Sequence, residues 1–226
     1  MRYWSECGSF FREYWRHFHT TGSILPSSRF LARAMVSDVA RPHPPARILE
    51  AGPGTGAVTR ALVQVLQPDD RLDIVEINDA FVELLRGRFE QEEEFRQRRD
   101  QAAILHRPVE EIEGSDIYDF IVSSLPLNNF PVELVRRILR SFRRLIKPGG
   151  ILTYFEYAWV RNLKMPLVPR RERRRLAQLG HVVGKYITAH QVQQDLVWLN
   201  VPPAIVRHLR FAEKNDQAAA AGTARS

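Results

Sequence analysis

The residues of this chain best suited to chemistry crowd into "RILEAGPGTGAVTR" (47–60), where Glu50 closes an apolar run and Gly52, Gly54 and Gly56 follow at alternate positions. Glycine costs conformational entropy and stabilises neither strand nor helix. Three of them between a buried strand and a helix mark a place where something approaches the backbone. A second acid, Glu76, ends the next β-branched run, "RLDIVEI" (71–77). An acid ahead of the first glycine can accept from a ligand's ammonium group, and an acid ending the following strand can take both hydroxyls of a ribose. An amino acid attached to a ribonucleoside satisfies both carboxylates, and S-adenosylmethionine is that molecule. A plain tight turn beside a solvated strand end is the bland alternative; two acids on successive strands weigh against it.

Those positions need a sheet to hold them. Short β-branched runs at 47–52, 71–77, 102–109, 119–126 and 150–160 alternate with helical segments such as "NDAFVELLRGRFEQEEEF" and "PVELVRRILRSFRRLIK". Strand–helix alternation implies parallel strands with right-handed crossovers, an open α/β sheet. "ARPHPPAR" (40–47) reads as a stiff linker between an N-terminal helical section and that sheet, and "AEKNDQAAAAGTARS" as a tail too polar to dock. Three units are expected: residues 1–40 as a helical membrane-binding or lid segment, 46–211 as the catalytic domain, and 212–226 as a disordered tail.

Composition narrows the partners. The chain has 226 residues, 44% hydrophobic content and a formal charge of +7, enough apolar residues for one sizeable core and a charge that suits an anionic partner. Nucleic acid and acidic lipid both answer that description. Cys7 is the single cysteine, which excludes a disulfide framework and fits a reducing cytosol. The N-terminus carries no charged-then-apolar signal pattern, pointing away from secretion.

"ILEAGPGTG" with "VEI" resembles the seven-strand S-adenosylmethionine-dependent methyltransferases, and "KPGGIL" (147–152) resembles their turn into the fifth strand. The resemblance implies a Rossmann-like α/β fold, a seven-strand methyltransferase sheet with helices on both faces, here preceded by an N-terminal amphipathic helix. It implies cofactor contacts at Glu50, Gly52, Gly54, Gly56, Glu76, Ile77, Val109, Glu110, Ser28 and Ser124. One departure is "HRPVEEI" (106–112), where relatives commonly carry Gly-Asp beside the adenine; His106 and Arg107 stand there instead, leaving Glu110 or backbone for that contact.

The end of the fourth strand bears on substrate. Enzymes that methylate adenine amino groups in nucleic acid carry Asn/Asp/Ser-x-Pro and then an aromatic that stacks on the base. This chain reads Ser124-Leu125-Pro126-Leu127. Without the stacking ring, base binding loses about 1–3 kcal/mol. "SSLPLNNFP" together with "TTGSILPSSRFLARAM" (20–35) resembles the bacterial phospholipid N-methyltransferases, through Gly22-Ser-Ile24-Leu-Pro26-Ser27-Ser28 and Pro126-Leu-Asn128-Asn129-Phe130. That resemblance implies methyl transfer to the amine of phosphatidylethanolamine and its mono- and dimethyl forms, towards phosphatidylcholine, with S-adenosylhomocysteine released. The branch is similar to the ribosomal RNA adenine dimethyltransferases, so an RNA substrate is the second expectation, and nucleic acid a partner only under it.

For an amine substrate the main-chain carbonyls near Ser124 and Leu125, with Asn128 and Asn129, are candidates to hold the nitrogen. Tyr14, Tyr154 and Tyr157 could offer ring faces to a methylated ammonium. Glu156 is a candidate proton holder or a buried structural acid. No metal is expected; His17 and His19 lack an Asp/Cys partner set nearby.

Tyr3, Trp4, Cys7, Phe10, Phe11, Tyr14, Trp15 and Phe18 recur at spacings of three and four and form one aromatic stripe, with Arg12, Glu13, Arg16 and His17 on other faces. The pattern suits an interfacial helix or an ordinary packed lid. Basic residues 170–175, within "PLVPRRERRRLAQLGHVVGKY", suit an anionic leaflet, RNA phosphates or a solvated face. With residues 3–18 they are expected to hold the enzyme on an anionic membrane surface, cytoplasmic and peripheral on the inner face.

Overall fold

The computed structural model describes residues 28–158 and 170–211. The aromatic stripe at 3–18, Tyr14, His17, His19, residues 22–27 and the tail 212–226 lie outside the described residues.

Seven strands make one sheet: β1 (Arg47–Ala51), β2 (Arg71–Glu76), β3 (Ala102–His106), β4 (Tyr118–Ser123), β5 (Ile146–Tyr157), β6 (Gln191–Val197) and β7 (Ala204–Arg210). Their order is β3-β2-β1-β4-β5-β7-β6. The first five run parallel; β7 is antiparallel to both β5 and β6. β1 is buried on both sides, which is why "ILEA" reads as a run rather than an alternation. β5 begins at Ile146, earlier than the sequence pattern suggests. Its Lys-Pro-Gly-Gly start lies inside the strand, Gly149 at φ +81° donates its N–H to the Phe211 carbonyl at 2.6 Å, and the pairing with β4 shifts register there.

Helices cover both faces. α1 (Arg29–Met35), α2 (Ala57–Val65), α3 (Asp79–Gln91) and the short α4 (Glu93–Arg96) bury Leu31, Leu62, Leu85 and Phe95 on one face with Ile48 and Val122. α5 (Val132–Leu145) and α6 (Arg170–His190) cover the other. In α5 the residues Leu134, Val135, Ile138, Leu139, Phe142 and Leu145 recur at helical spacing and are buried, and arginines fill the outer positions. Asn78 caps α3, its side chain accepting from the N–H groups of Ala80 and Phe81.

The packed body starts before the proline-rich linker. Helix α1, within the segment expected to be separate, inserts Leu31 and Met35 fully into the core. Beyond it, Asp38 Oδ2 lies 2.6 Å from His208 Nδ1, while His208 Nε2 faces Asp195 Oδ2 at 3.1 Å. His208 is buried, so the contact ties the N-terminal leg to strands β6 and β7.

Candidate functional site

Strand order reverses between β1 and β4, and a crevice for ligand opens off the carboxyl ends at such a point. The loop after β1 runs through it. Gly52 donates to the Val75 carbonyl at 3.0 Å and Ser124 donates to the Ala51 carbonyl at 2.9 Å, so the loop is hung between β2 and the end of β4. Gly52, Gly54 and Gly56 all have positive φ, +72°, +55° and +80°. At Gly52 a side chain is excluded twice over, since a Cβ would also fall 2.4 Å from Leu125 Cδ2.

The two acids differ sharply. Glu50 is wholly buried, and neither carboxylate oxygen has a hydrogen-bond partner. Burial pushes its carboxyl up to about 8; the Thr59 hydroxyl, which approaches without closing a well-formed hydrogen bond, pulls the other way, and Glu76 adds to the rise. Glu76 is buried too, but it is held: Oε1 accepts the N–H groups of Ile77 and Asn78 at 2.8 and 2.9 Å, and Oε2 accepts that of Gly54 at 3.2 Å. Burial raises its carboxyl above the usual range, against the pull of those three N–H groups and of His106.

The hydroxyls of Thr59, Ser123 and Ser124 are buried and likewise without hydrogen-bond partners. An orphaned buried carboxylate with a second acid and the unmet Thr59 hydroxyl near it fits a ligand that brings an ammonium and ribose hydroxyls. Glu50 would take the ammonium and Glu76 the ribose. Sequence reasoning missed Thr59 and Ser123; a hydroxyl in the first turn of the helix after the glycines was the available signal for the former.

Other expected positions scatter. Val109 is buried in the core, within a 3-10 turn at 109–111. Glu110 Oε1 lies 3.8 Å from Arg137 Nε, and burial, only partly offset by that guanidinium, raises its carboxyl. His106, opposite Glu76 across the β2–β3 pair, turns its Nε2 towards the Ile77 carbonyl at 3.3 Å and Asp79 at 3.3 Å. Ser28 caps α1, accepting from Leu31 N–H at 3.2 Å, and its own N–H donates to Asn200 Oδ1 at 3.1 Å. Its hydroxyl is thereby engaged in the helix.

On the substrate side, Tyr154 is buried opposite Ser123 in the β4–β5 pair. Tyr157 packs on the other face of the sheet, edge-on to Phe155 with ring centroids 5.4 Å apart. Strand alternation thus separates the two rings, and one pocket cannot use both. Glu156 is ion-paired with Arg207, Oε1 to Nε at 2.6 Å, which accounts for it structurally. The loop after β4 is braced by Arg175 of α6, whose guanidinium donates to the carbonyls of Phe130 and Asn128 at 2.7 and 3.0 Å and to Glu172. Beside it a groove of about 980 Å³ opens between the starts of α5 and α6, lined by Val132, Glu133, Arg171, Arg174 and Arg175 among others. Leu127 is buried beneath the loop in the core.

A family model described as a methyltransferase domain matches residues 49–152. The chain is 32% identical over 157 residues to an ornithine lipid N-methyltransferase of Singulisphaera acidiphila, covering 67% of this chain and 78% of that protein. It belongs to the S-adenosylmethionine-dependent methyltransferases. The methyltransferase is also 31% identical over 133 residues to the compactin diketide synthase of Penicillium citrinum, but spans 5% of that much longer protein. Among solved structures it is similar to the Burkholderia thailandensis 1,6-didemethyltoxoflavin-N1-methyltransferase with bound S-adenosylhomocysteine, at a TM-score of 0.61 and 15% identity over 94% of this chain and 90% of that one. S-adenosylmethionine is the methyl donor of this enzyme, and the seven-strand fold expected from the sequence is the one found.

Proposed function

We propose that this methyltransferase acts on the amine nitrogen of a lipid headgroup, that of phosphatidylethanolamine and its mono- and dimethyl forms, building towards phosphatidylcholine. The observation that carries the reading is the 32% relative, which is named for N-methylation of a lipid. Leu127 supports it from the geometry. Where base-methylating enzymes present a stacking ring, this side chain is 5% exposed and faces the core, so the site lacks that platform for a flipped adenine. An ornithine-lipid amine is the second reading, favoured by the same relative.

When bound, S-adenosylmethionine supplies an electrophilic methyl on its sulfonium. A lipid primary amine, with a pKa near that of lysine at about 10, arrives mostly protonated and must release a proton to water before its lone pair forms the new N–C bond. The carbonyls of Leu125, Pro126 and Leu127 already accept N–H groups from Leu127, Asn129 and Phe130. We therefore assign the hold on the amine to the Ser124 carbonyl and to its hydroxyl, which has no hydrogen-bond partner. Tyr154 is the ring assigned to face the growing cation, an attraction of about 0.5–2 kcal/mol. Holding nitrogen and methyl in line supplies much of the rate without a dedicated base.

The arginines at 170–175 and the aromatic stripe at 3–18 are assigned to an anionic membrane surface, placing the enzyme on the inner face of the cytoplasmic membrane. The groove lined by Arg171 and Arg174 suits the phosphate of a headgroup. Labelled S-adenosylmethionine offered with phosphatidylethanolamine vesicles, ornithine-lipid vesicles or undermethylated ribosomal RNA tests the proposal. Label in the phosphatidylethanolamine fraction is expected; label in RNA alone overturns it.

A further inference from the structure

Between Asp195 and Arg207 the chain carries no charged residue: "LVWLNVPPAIV" fills the turn from β6 to β7. A surface turn of that composition normally hides its apolar side chains. Here Trp198 is 62% exposed, Leu199 66% and Val201 69%, and the single polar residue among them, Asn200, is 4% exposed. The arrangement is inside out. Asn200 points inward and fastens the turn, its Nδ2 donating to the Pro202 carbonyl at 2.7 Å and its Oδ1 accepting from Ser28 N–H at 3.1 Å. Leu196 on β6, 42% exposed, extends the apolar surface down the free edge of the sheet.

Topology fixes where this turn points. Ala204 pairs with Tyr157 at the carboxyl end of β5, so the β6–β7 turn rises from the same edge as the glycine loop and the end of β4. The start of α6 lies on that edge as well, because Arg175 reaches the carbonyls of Asn128 and Phe130. Arg171, Arg173 and Arg174 are on it, all three exposed. One edge of the molecule therefore carries the cofactor crevice, an apolar tip with a tryptophan, and a cluster of arginines.

We propose that the β6–β7 turn, through Trp198, Leu199 and Val201, is a wedge that inserts into the interfacial layer of an anionic bilayer. Tryptophan beside aliphatic residues suits the headgroup boundary, and the exposed arginines supply the charge complement to acidic lipid. Insertion there sets the mouth of the crevice against the surface from which a headgroup would be drawn. The proposal rests on the lipid-amine reading for its purpose, but not for its test.

The full-length chain carrying Trp198→Ser, Leu199→Ser and Val201→Ser is compared with wild type by sedimentation with vesicles of phosphatidylcholine and phosphatidylglycerol. Each side chain removed should cost about tenfold in partitioning. A loss of a hundredfold or more is expected, with S-adenosylhomocysteine affinity unchanged by calorimetry. Unchanged sedimentation overturns the wedge. Trp198→Cys in a Cys7→Ser background, labelled with a polarity-sensitive dye, reads the same point without relying on the triple variant's folding. Emission should shift to the blue on adding vesicles. A dye already blue-shifted in buffer and unmoved by vesicles means the chain itself or a second copy covers the tip, and overturns the proposal. Wild-type protein that sediments through the tip yet methylates no lipid amine would leave the wedge standing and remove the substrate assignment instead.

Discussion

Glu50 and Glu76 border the same glycine loop in opposite hydrogen-bond states: Glu76 accepts three backbone N–H groups, and neither oxygen of Glu50 accepts one. Glu76 shapes the loop before any ligand arrives. Glu50 is left costly to ionise, and a ligand ammonium is the group that removes the cost.

That asymmetry predicts a pH signature. The Glu50 carboxyl sits at about 8 in the folded chain against an ordinary 4.5. Between those values the folded state holds a proton that the unfolded state does not. Its stabilising contribution is complete below pH 4.5 and is lost as pH rises through 8. The limit is about 1.4 kcal/mol per pH unit. Glu50→Gln should therefore melt above wild type at pH 9 when ligand-free; a lower melting temperature would contradict the account.

Ligand binding should run the other way. An ammonium selects ionised Glu50, so wild-type affinity for S-adenosylhomocysteine should climb towards tenfold per unit between pH 6 and 8, with a proton released on binding. Calorimetry in buffers of different ionisation enthalpy measures that proton. In Glu50→Gln the affinity should fall ten- to a hundredfold and the pH dependence flatten.

Glu76→Ala should behave differently from Glu50→Gln. It strips acceptors from Gly54, Ile77 and Asn78 as well as from the ligand's ribose. Stability should drop by about 1–3 kcal/mol and cofactor affinity should fall together with it. Thermal melts with and without S-adenosylhomocysteine separate the two losses.

Leu127→Phe is the obvious attempt to build a base-stacking platform. Since Leu127 is buried against the core, the larger ring should cost about 1–3 kcal/mol by overpacking and confer no RNA methylation. Transfer of label to undermethylated ribosomal RNA by this variant would refute the placement.

Asp38 carries a separate prediction. Burial pushes its carboxyl up, but the hydrogen bond and charge of His208, with the charges of Arg41 and Arg210, bring it below the usual carboxylate range. Its contribution to stability is thus present above pH 3.8 and lost as pH falls below that. Asp38→Asn should destabilise the protein at pH 6 and lessen its acid lability, read from melting temperatures between pH 3 and 6.

Much of the sheet was legible because buried parallel strands write themselves as apolar runs, and Glu50 and Glu76 stood out as acids interrupting two of them. The body of the domain was less so. "ARPHPPAR" looked like a boundary, yet α1 on its far side is core, because the partner of Asp38 is 170 residues away at His208. Ser28, which the motif marks as a ligand contact, is also the cap of α1, a role that the motif does not announce. Tyr154 and Tyr157 were grouped by residue type, although an odd spacing on a strand places them on opposite faces. Arg175 gave no sign of bracing the loop at 128–130, since a basic run reads alike whether it faces solvent or reaches a carbonyl.

Leu125 lies where a side chain at Gly52 would have to go. The glycine loop and the loop after β4 are therefore cut to one another's shape. The two positions constrain one another: a side chain at 52 would need the leucine at 125 to give way. Residues 128 and 129 are not among the atoms that crowd position 52. Libraries built to redirect the enzyme gain by randomising those outer positions while leaving the leucine in place.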